Sequence, residues 1–329
     1  MSEILGIHHV TAIASDPQRN VDFYTRVLGL RLVKLTVNYD DPGTYHLYYG
    51  DERGTPGSIM TFFAWPGAFR GQQGVGQVAV VSFSVLPSAI AFWLERFVRL
   101  GVEHSAPAKR GPEGDQERFV AFRDPDGTML EIVGQAAAEG KQPWSGAPGI
   151  SRDQAIRGFH GVTLWVDDVS PTERTLVDTL GFRALREDET TRRYAVGDGG
   201  PGALVDVRGI GGFLGATEGA GTVHHVAWEV DSDARELEVR QRVIASGLHP
   251  TAVIDRTYFH SVYFREPGGV LYELATKEPG FTVDEPLDHL GERLMLPAQY
   301  ESRRAAIESS LPPIHLPGSM PARSAFEEL

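Results

Sequence analysis

The sequence predicts an α+β fold built from four copies of one βαβββ unit, and three observations point there. A Gly-led apolar strand recurs four times, as GIHHVTAIA from residue 6, GVGQVAVVSF from 74, GFHGVTLWV from 158 and GTVHHVAWEV from 221. Each copy is followed by a polar break and a segment of helical periodicity that closes on a Leu-Gly or Gly-Leu/Val pair, the chemistry of a left-handed cap. β-rich runs come next. Two of them, RFVAFRDPDGTMLEIV (118–133) and SVYFREPGGVLYELAT (261–276), carry Pro-Asp-Gly and Pro-Gly-Gly turns suited to three-residue hairpin loops.

Taken in order, the first helix is expected in DPQRNVDFYTRVLGLRLV, where Val21, Tyr24 and Leu28 recur at helical spacing and Gly29 can end it. The other three lie in LPSAIAFWLERFVRLGV from 86, SPTERTLVDTLGFRAL from 170 and DSDARELEVRQRVIASGL from 231. The stretch GQAAAEGKQPWSGAPGISRD (134–153) is rich in Gly, Pro and Ser and marks a join between halves. The expected organisation is an N-terminal domain of two units over 1–140, a linker over 141–156, a C-terminal domain of two units over 157–280, and an extension over 281–329. A short helix around 297–309 is expected in that extension, before an extended tail.

Composition narrows the function classes. The 329 residues are 41% hydrophobic and 23% charged, ordinary for a globular chain, and no run approaches the length of a membrane span. The first residues show no secretory signal pattern. Cysteine is absent, which removes disulfides, thiolate metal sites and a cysteine nucleophile. The net charge of −13 is spread along the chain and offers no positive footprint for nucleic acid or an anionic membrane. No P-loop or complete dinucleotide loop occurs. The expectation is a cytoplasmic protein acting on small molecules.

Four βαβββ units in one chain resemble the vicinal oxygen chelate superfamily, which includes glyoxalase I, bleomycin-resistance proteins and type I extradiol dioxygenases. The resemblance covers roughly residues 4–277. It implies that units pair into cup-shaped half-barrel sheets, with metal ligands on the first and last strands of a unit. Aligning the opening strands on the second member of the doublet gives His9, Gln77, Gly161 and His225. Four residues after Gly57, Gly127, Gly202 and Gly269 come Thr61, Glu131, Asp206 and Glu273. Pairing units 1 with 2, or 3 with 4, leaves one histidine per cup. Pairing units 1 with 4 brings together His9, His225 and Glu273, and leaves units 2 and 3 to pair with each other. Two imidazoles and one carboxylate are the minimal set for a divalent metal with vacant positions, as in non-haem Fe(II) oxygenases. Glu131 and Asp206 lack histidine partners and read as structural carboxylates or a decayed site.

Strand alternation puts Thr11 on the face of His9 and turns His8 and His224 the other way. A three-residue loop at Pro267–Gly269 places Tyr263 opposite Glu273, on the metal side. Arg256, read as the start of the same strand, is available to bind an anion or to pair with Asp255 or another acid. His46, His104, His249, His260, His289 and His315 are assigned to structure or surface by default.

The motifs GIHHVT, HHVAW and DRxYFxSxYFRxPGGxLxE, with the long run VLGLRLVKLTVNYDDPGTYHLYYGDERGTPGSIMTFFAWPG, resemble the hydroquinone ring-cleaving dioxygenases. Residue by residue, the resemblance implies that His9, His225 and Glu273 bind Fe(II), with Mn(II) as the alternative metal. It implies that His8, Thr11, His224, Arg256 and Tyr263 surround the metal and serve catalysis. Implied partners are an aromatic 1,4-dihydroxybenzene and O2, and the family allows a homo-oligomer. Three other readings stay open: a catechol-type extradiol enzyme, from which Gly161 departs; a metal-dependent glyoxalase-like isomerase or lyase, disfavoured by Thr61 in the slot of a fourth ligand; and a non-enzymatic small-molecule-binding protein.

Overall fold

The computed structural model describes residues 3–112, 116–188 and 190–316. The four repeats each supply four strands. The first has β1 (Ile4–Ala14), β2 (Arg31–Val37), β3 (Tyr45–Gly50) and β4 (Ile59–Ala64); the second has β5 (Gln77–Val85), β6 (Ala108–Arg110), β7 (Glu117–Arg123) and β8 (Met129–Gly134). The third has β9 (Phe159–Val166), β10 (Arg183–Asp188), β11 (Thr191–Ala195) and β12 (Leu204–Gly209); the fourth has β13 (Val223–Val230), β14 (Ile254–Asp255), β15 (His260–Arg265) and β16 (Leu271–Thr276). One helix follows the first strand of each unit: α1 (Pro17–Asp22), α2 (Ile90–Arg99), α3 (Val169–Arg174) and α4 (Asp233–Ala245).

Local chemistry starts and stops these helices. Asp16 accepts from the Arg19 amide, Asp168 from that of Ser170 and Ser232 from that of Arg235, each satisfying a backbone donor that the first helical turn leaves open. Both α1 and α3 run on into a π turn, at Phe23–Val27 and Thr175–Thr179. Gly29, Gly101, Gly181 and Gly247 then take φ between 67° and 85°, the left-handed geometry expected where each helix closes.

The strands form two eight-stranded sheets, ordered β14-β15-β16-β13-β1-β4-β3-β2 and β10-β11-β12-β9-β5-β8-β7-β6. Unit 1 therefore pairs with unit 4 and unit 2 with unit 3, as expected. The joins are antiparallel contacts between opening strands, β1 with β13 and β5 with β9. Inside each unit the opening strand lies parallel to the closing one: β1 to β4, β5 to β8, β9 to β12 and β13 to β16. The helices pack against the sheets through a core that includes Trp93, Trp228 and Phe159, all wholly buried. Trp228 sits edge-on to Phe182 and Tyr272, and truncating such a side chain to Ala costs about 3–5 kcal/mol.

Beyond β16 the chain folds back over the first unit. Lys34 of β2 is wholly buried and donates to Asp284 (2.6 Å), Glu285 (2.5 Å) and the Phe281 carbonyl (3.2 Å). Tyr300 donates to the Tyr39 carbonyl at 2.6 Å, just before α5 (Arg304–Ser310), which with the 3₁₀ segment Ala298–Arg303 fills the helix expected around 297–309. The expected tail from 317 onward lies outside the described residues. Among the described residues no helix is long and apolar enough to cross a membrane.

On α4, which packs against β13, β15 and β16, Glu236 is wholly buried and neither carboxylate oxygen has a hydrogen-bond partner. Burial raises its pKa from 4.5 to about 7, with His260 opposing the rise and Asp233 and Glu273 adding to it. A carboxyl held neutral in the fold keeps its proton where the unfolded chain has lost it, so stability declines as pH rises from 4.5 to about 7 and then levels. Glu236→Gln is expected to raise the Tm by about 2 °C at pH 8 and to leave it nearly unchanged at pH 4, read by thermal denaturation at both pH values.

Candidate metal centre

The join between β1 and β13 places His9 opposite Ala227 and Thr11 opposite His225, so the two opening strands meet about a local two-fold axis. The parallel partner β16 sets Glu273 beside Ala227. Three buried donor atoms converge there. The Nε2 atoms of His9 and His225 are 3.3 Å apart, and Glu273 Oε2 lies 3.2 Å from the first and 2.8 Å from the second. Ligand atoms about 2.1–2.2 Å from one ion and mutually perpendicular stand about 3 Å apart, so these separations suit one face of an octahedron. Ser261 donates to Glu273 Oε1 at 2.6 Å, which leaves Oε2 free to face the imidazoles. Burial by itself would raise the Glu273 carboxyl, but the two imidazoles hold it well below the usual carboxylate range. Burial lowers the His225 pKa against the pull of Glu273, so this imidazole favours the neutral form that a metal needs. The donor set, buried and short of a cation, fits a divalent metal.

The doublets correct one expectation. Simple alternation turns His8 and His224 away from their neighbours, yet His8 Nδ1 is 2.9 Å from His9 Nδ1, and His224 Nδ1 is 2.7 Å from His225 Nδ1. The cause is a pair of β-bulges. The ladder steps from Ile7–Trp228 to His9–Ala227 and from Thr11–His225 to Ala12–Val223, which leaves His8 and His224 as the extra residues. Burial first, and then the adjoining imidazole, lowers His8 to about 3 and His224 to about 4, so both stay neutral. Each can accept from the Nδ1–H of its neighbour, which turns that neighbour's Nε2 lone pair toward Glu273.

The wall around the triad comes from Asn38, Tyr39, Asp40, His46, Tyr48, Phe63, Arg256, Phe259 and Tyr263. Tyr263 lies opposite Glu273 in the β15–β16 hairpin and edge-on to His225, with ring centroids 5.7 Å apart. Arg256 is not the first residue of β15 but sits in the turn between β14 and β15. Its partners are Tyr263 Oη (3.3 Å) and Asp40 (3.3 Å), in place of Asp255. Thr11 is buried with its hydroxyl 2.9 Å from that of Thr61. Of the histidines assigned by default to structure, His46 belongs to this wall. The hairpin register places it there, since β3 sets Tyr48 opposite Thr61 and His46 two residues earlier.

The equivalent slots of the other cup are filled differently. A Cβ at Gly161, the slot that corresponds to His225, would lie 2.7 Å from the Leu204 carbonyl oxygen, too close for a ligand side chain. Asp206 instead receives two bonds of 2.7 Å from Arg193, and Glu131 accepts from Ser82 and Arg110 at 2.7 Å each. Glu117 ties both arginines together. Glu131 and Asp206 are thus neutralised by fixed cations, which accounts for carboxylates without histidine partners.

The profile of the glyoxalase/bleomycin resistance protein/dioxygenase superfamily matches residues 6–132. The "Putative ring-cleaving dioxygenase MhqO" of Bacillus subtilis is 44% identical over 95% of this chain and 97% of its own length. A chlorohydroquinone/hydroquinone 1,2-dioxygenase of Sphingobium indicum is 32% identical over 90% of this chain and 92% of its own. A Bacillus subtilis crystal structure at 43% identity superposes with a TM-score of 0.89 over 96% of this chain and 99% of that one. Maize glyoxalase I, at 15% identity and a TM-score of 0.60 over 83% of this chain and 92% of that one, shares the fold.

Ser261→Ala removes the hydrogen bond that turns Glu273 toward the imidazoles. It is expected to lower affinity for a divalent cation about tenfold without a matching loss of Tm, measured by calorimetric metal titration.

Proposed function

The chain belongs to the glyoxalase/bleomycin resistance protein/dioxygenase superfamily, and from that premise we propose that it is an Fe(II)-dependent dioxygenase that opens 1,4-dihydroxybenzene rings with O2. The observation that carries this reading is the three-ligand set of His9, His225 and Glu273 with Thr61, a poor ligand, in the slot of a fourth ligand. Three protein ligands on one face leave positions for a substrate oxygen and for O2. The names of the Bacillus subtilis and Sphingobium indicum relatives support the substrate class.

His9, His225 and Glu273 would hold the metal, which when bound supplies Lewis-acid activation of the phenol and electron transfer toward O2. The protein's part is orientation and charge. Tyr39, Tyr48, Phe63, Phe259 and Tyr263 offer flat surfaces that suit one aromatic ring. Arg256 Nε–H donates to Tyr263 Oη, so the phenolic hydrogen of Tyr263 is released to donate elsewhere. Burial first, and then the Glu273 charge, raises the Tyr263 pKa well above its ordinary value, which keeps that hydrogen in place. Tyr263 is therefore suited to stabilise an oxyanion or deliver a proton, with the Arg256 charge behind it. His8 and His224 hold the ligand imidazoles in one tautomer through their Nδ1 atoms.

Steady-state O2 uptake with hydroquinone or catechol as sole substrate tests the assignment. Uptake with hydroquinone at least tenfold faster is expected, and preference for catechol or turnover without O2 would overturn it. His225→Ala and Glu273→Ala are each expected to lose bound iron, assayed by elemental analysis, and to drop O2 uptake by more than about 10³-fold. An iron-loaded His225→Ala protein with normal turnover would remove the site assignment. Tyr263→Phe is expected to keep its iron while kcat falls about 10–100-fold, read from the same oxygen traces.

A further inference from the structure

The two units that share the centre are related by a local two-fold axis, yet they bring different residues to equivalent places. Unit 4 presents Glu273, with Tyr263 directly opposite and Ser261 bonded to its carboxylate. The same positions in unit 1 hold Thr61, with Tyr48 directly opposite and His46 bonded to its hydroxyl at 2.8 Å. Next to Thr61 on the opening strand stands Thr11, where unit 4 has only Ala227. The result is a continuous line of polar atoms: Tyr48 Oη to His46 Nδ1 at 3.0 Å, His46 Nε2 to Thr61 Oγ1 at 2.8 Å, and Thr61 Oγ1 to Thr11 Oγ1 at 2.9 Å.

The donors along this line can run in a direction that ends in the pocket. A neutral imidazole has one N–H and one lone pair. If the Tyr48 hydroxyl donates to His46 Nδ1, the single N–H of His46 lies on Nε2 and goes to Thr61. Thr61 then donates to Thr11, and the Thr11 hydrogen remains for the pocket, beside His9. On the reading that this pocket takes a phenol at a divalent metal, we propose that His46 is a positioning residue. Held in one tautomer by Tyr48, it orients the Thr61 and Thr11 hydroxyls so that Thr11 donates to the anionic oxygen of the bound phenol. Burial, aided by His9 and His225, lowers the His46 pKa well below 6.5, in keeping with a neutral ring. Burial likewise raises Tyr48 well above 10, which keeps its hydrogen in place to donate. Thr11 and Thr61 are wholly buried, so the low local dielectric strengthens the bond between their hydroxyls.

The probe is 4-nitrophenol, whose phenolate is yellow, bound anaerobically to the full chain loaded with Zn(II). His46→Leu and Thr61→Val are each expected to raise its Kd about tenfold and to weaken the phenolate band of the bound ligand. The double variant is expected to be no worse than either single one, because all three break the same chain. Metal content per chain and Tm are expected to match the wild type. Thr61→Val, nearly isosteric, carries the test by itself if His46→Leu does not fold. Wild-type binding with unchanged Kd and unchanged phenolate band in the variants would overturn the relay, as would effects that multiply in the double variant. A wild-type protein that holds the metal but binds no phenol would overturn the reading of the pocket itself.

Discussion

The antiparallel contact between β1 and β13 is the constraint on which the site rests. Each of these strands also runs parallel to the closing strand of its own unit, so one contact brings four ligand slots to one place. His9 and His225, 216 residues apart in sequence, reach 3.3 Å through this pairing. The bulges at His8 and His224 belong to the same contact. They break strict alternation at both doublets, so each imidazole that faces Glu273 gains a second imidazole behind it. A one-residue slip in this ladder would turn the ligand side chains to the opposite face.

The duplicated scaffold has filled its equivalent slots in three chemically distinct ways. Unit 4 supplies a carboxylate, unit 1 a hydroxyl backed by an imidazole, and units 2 and 3 supply carboxylates already neutralised by Arg110 and Arg193. The ion-paired cup has a buried network in which each charge has a partner, and removing one partner from such a network leaves an uncompensated buried charge that costs about 3–5 kcal/mol. The other cup leaves three electron-pair donors facing each other. One cup is therefore complete in the polypeptide, and the other is complete only with a cation.

Much of this was legible in the sequence because repeats and strand periodicity are local signals. Four glycine-led strands revealed the repeat, the histidines in its aligned slots led to the unit pairing, and the three-residue turn at Pro267–Gly269 led to Tyr263 opposite Glu273. What escaped depends on contacts between distant segments or on breaks in periodicity. Alternation sends His8 and His224 outward, and only the inserted residue in each ladder reverses that. Arg256 was assigned to a strand, but Asp40 from unit 1 meets it across the cup mouth. His46 has no distinguishing neighbours in sequence and acquires a role only when β3 lies beside β4. The burial of Lys34 by Asp284 and Glu285 needs the fold-back of the extension, which no local pattern encodes.

The order of strands in the first sheet also has a consequence for synthesis on the ribosome. The chain emerges N-terminus first, so β1 to β4 are available long before β13, and the edge that β13 will cover waits unpaired while units 2 and 3 are made. Units 2 and 3 adjoin in sequence and can close their own sheet in the meantime. Contacts of such sequence separation form slowly, and an uncovered strand edge is a template for pairing between chains. The nascent protein therefore passes through a stage with one finished sheet and one half-built sheet, which is when a chaperone would matter most.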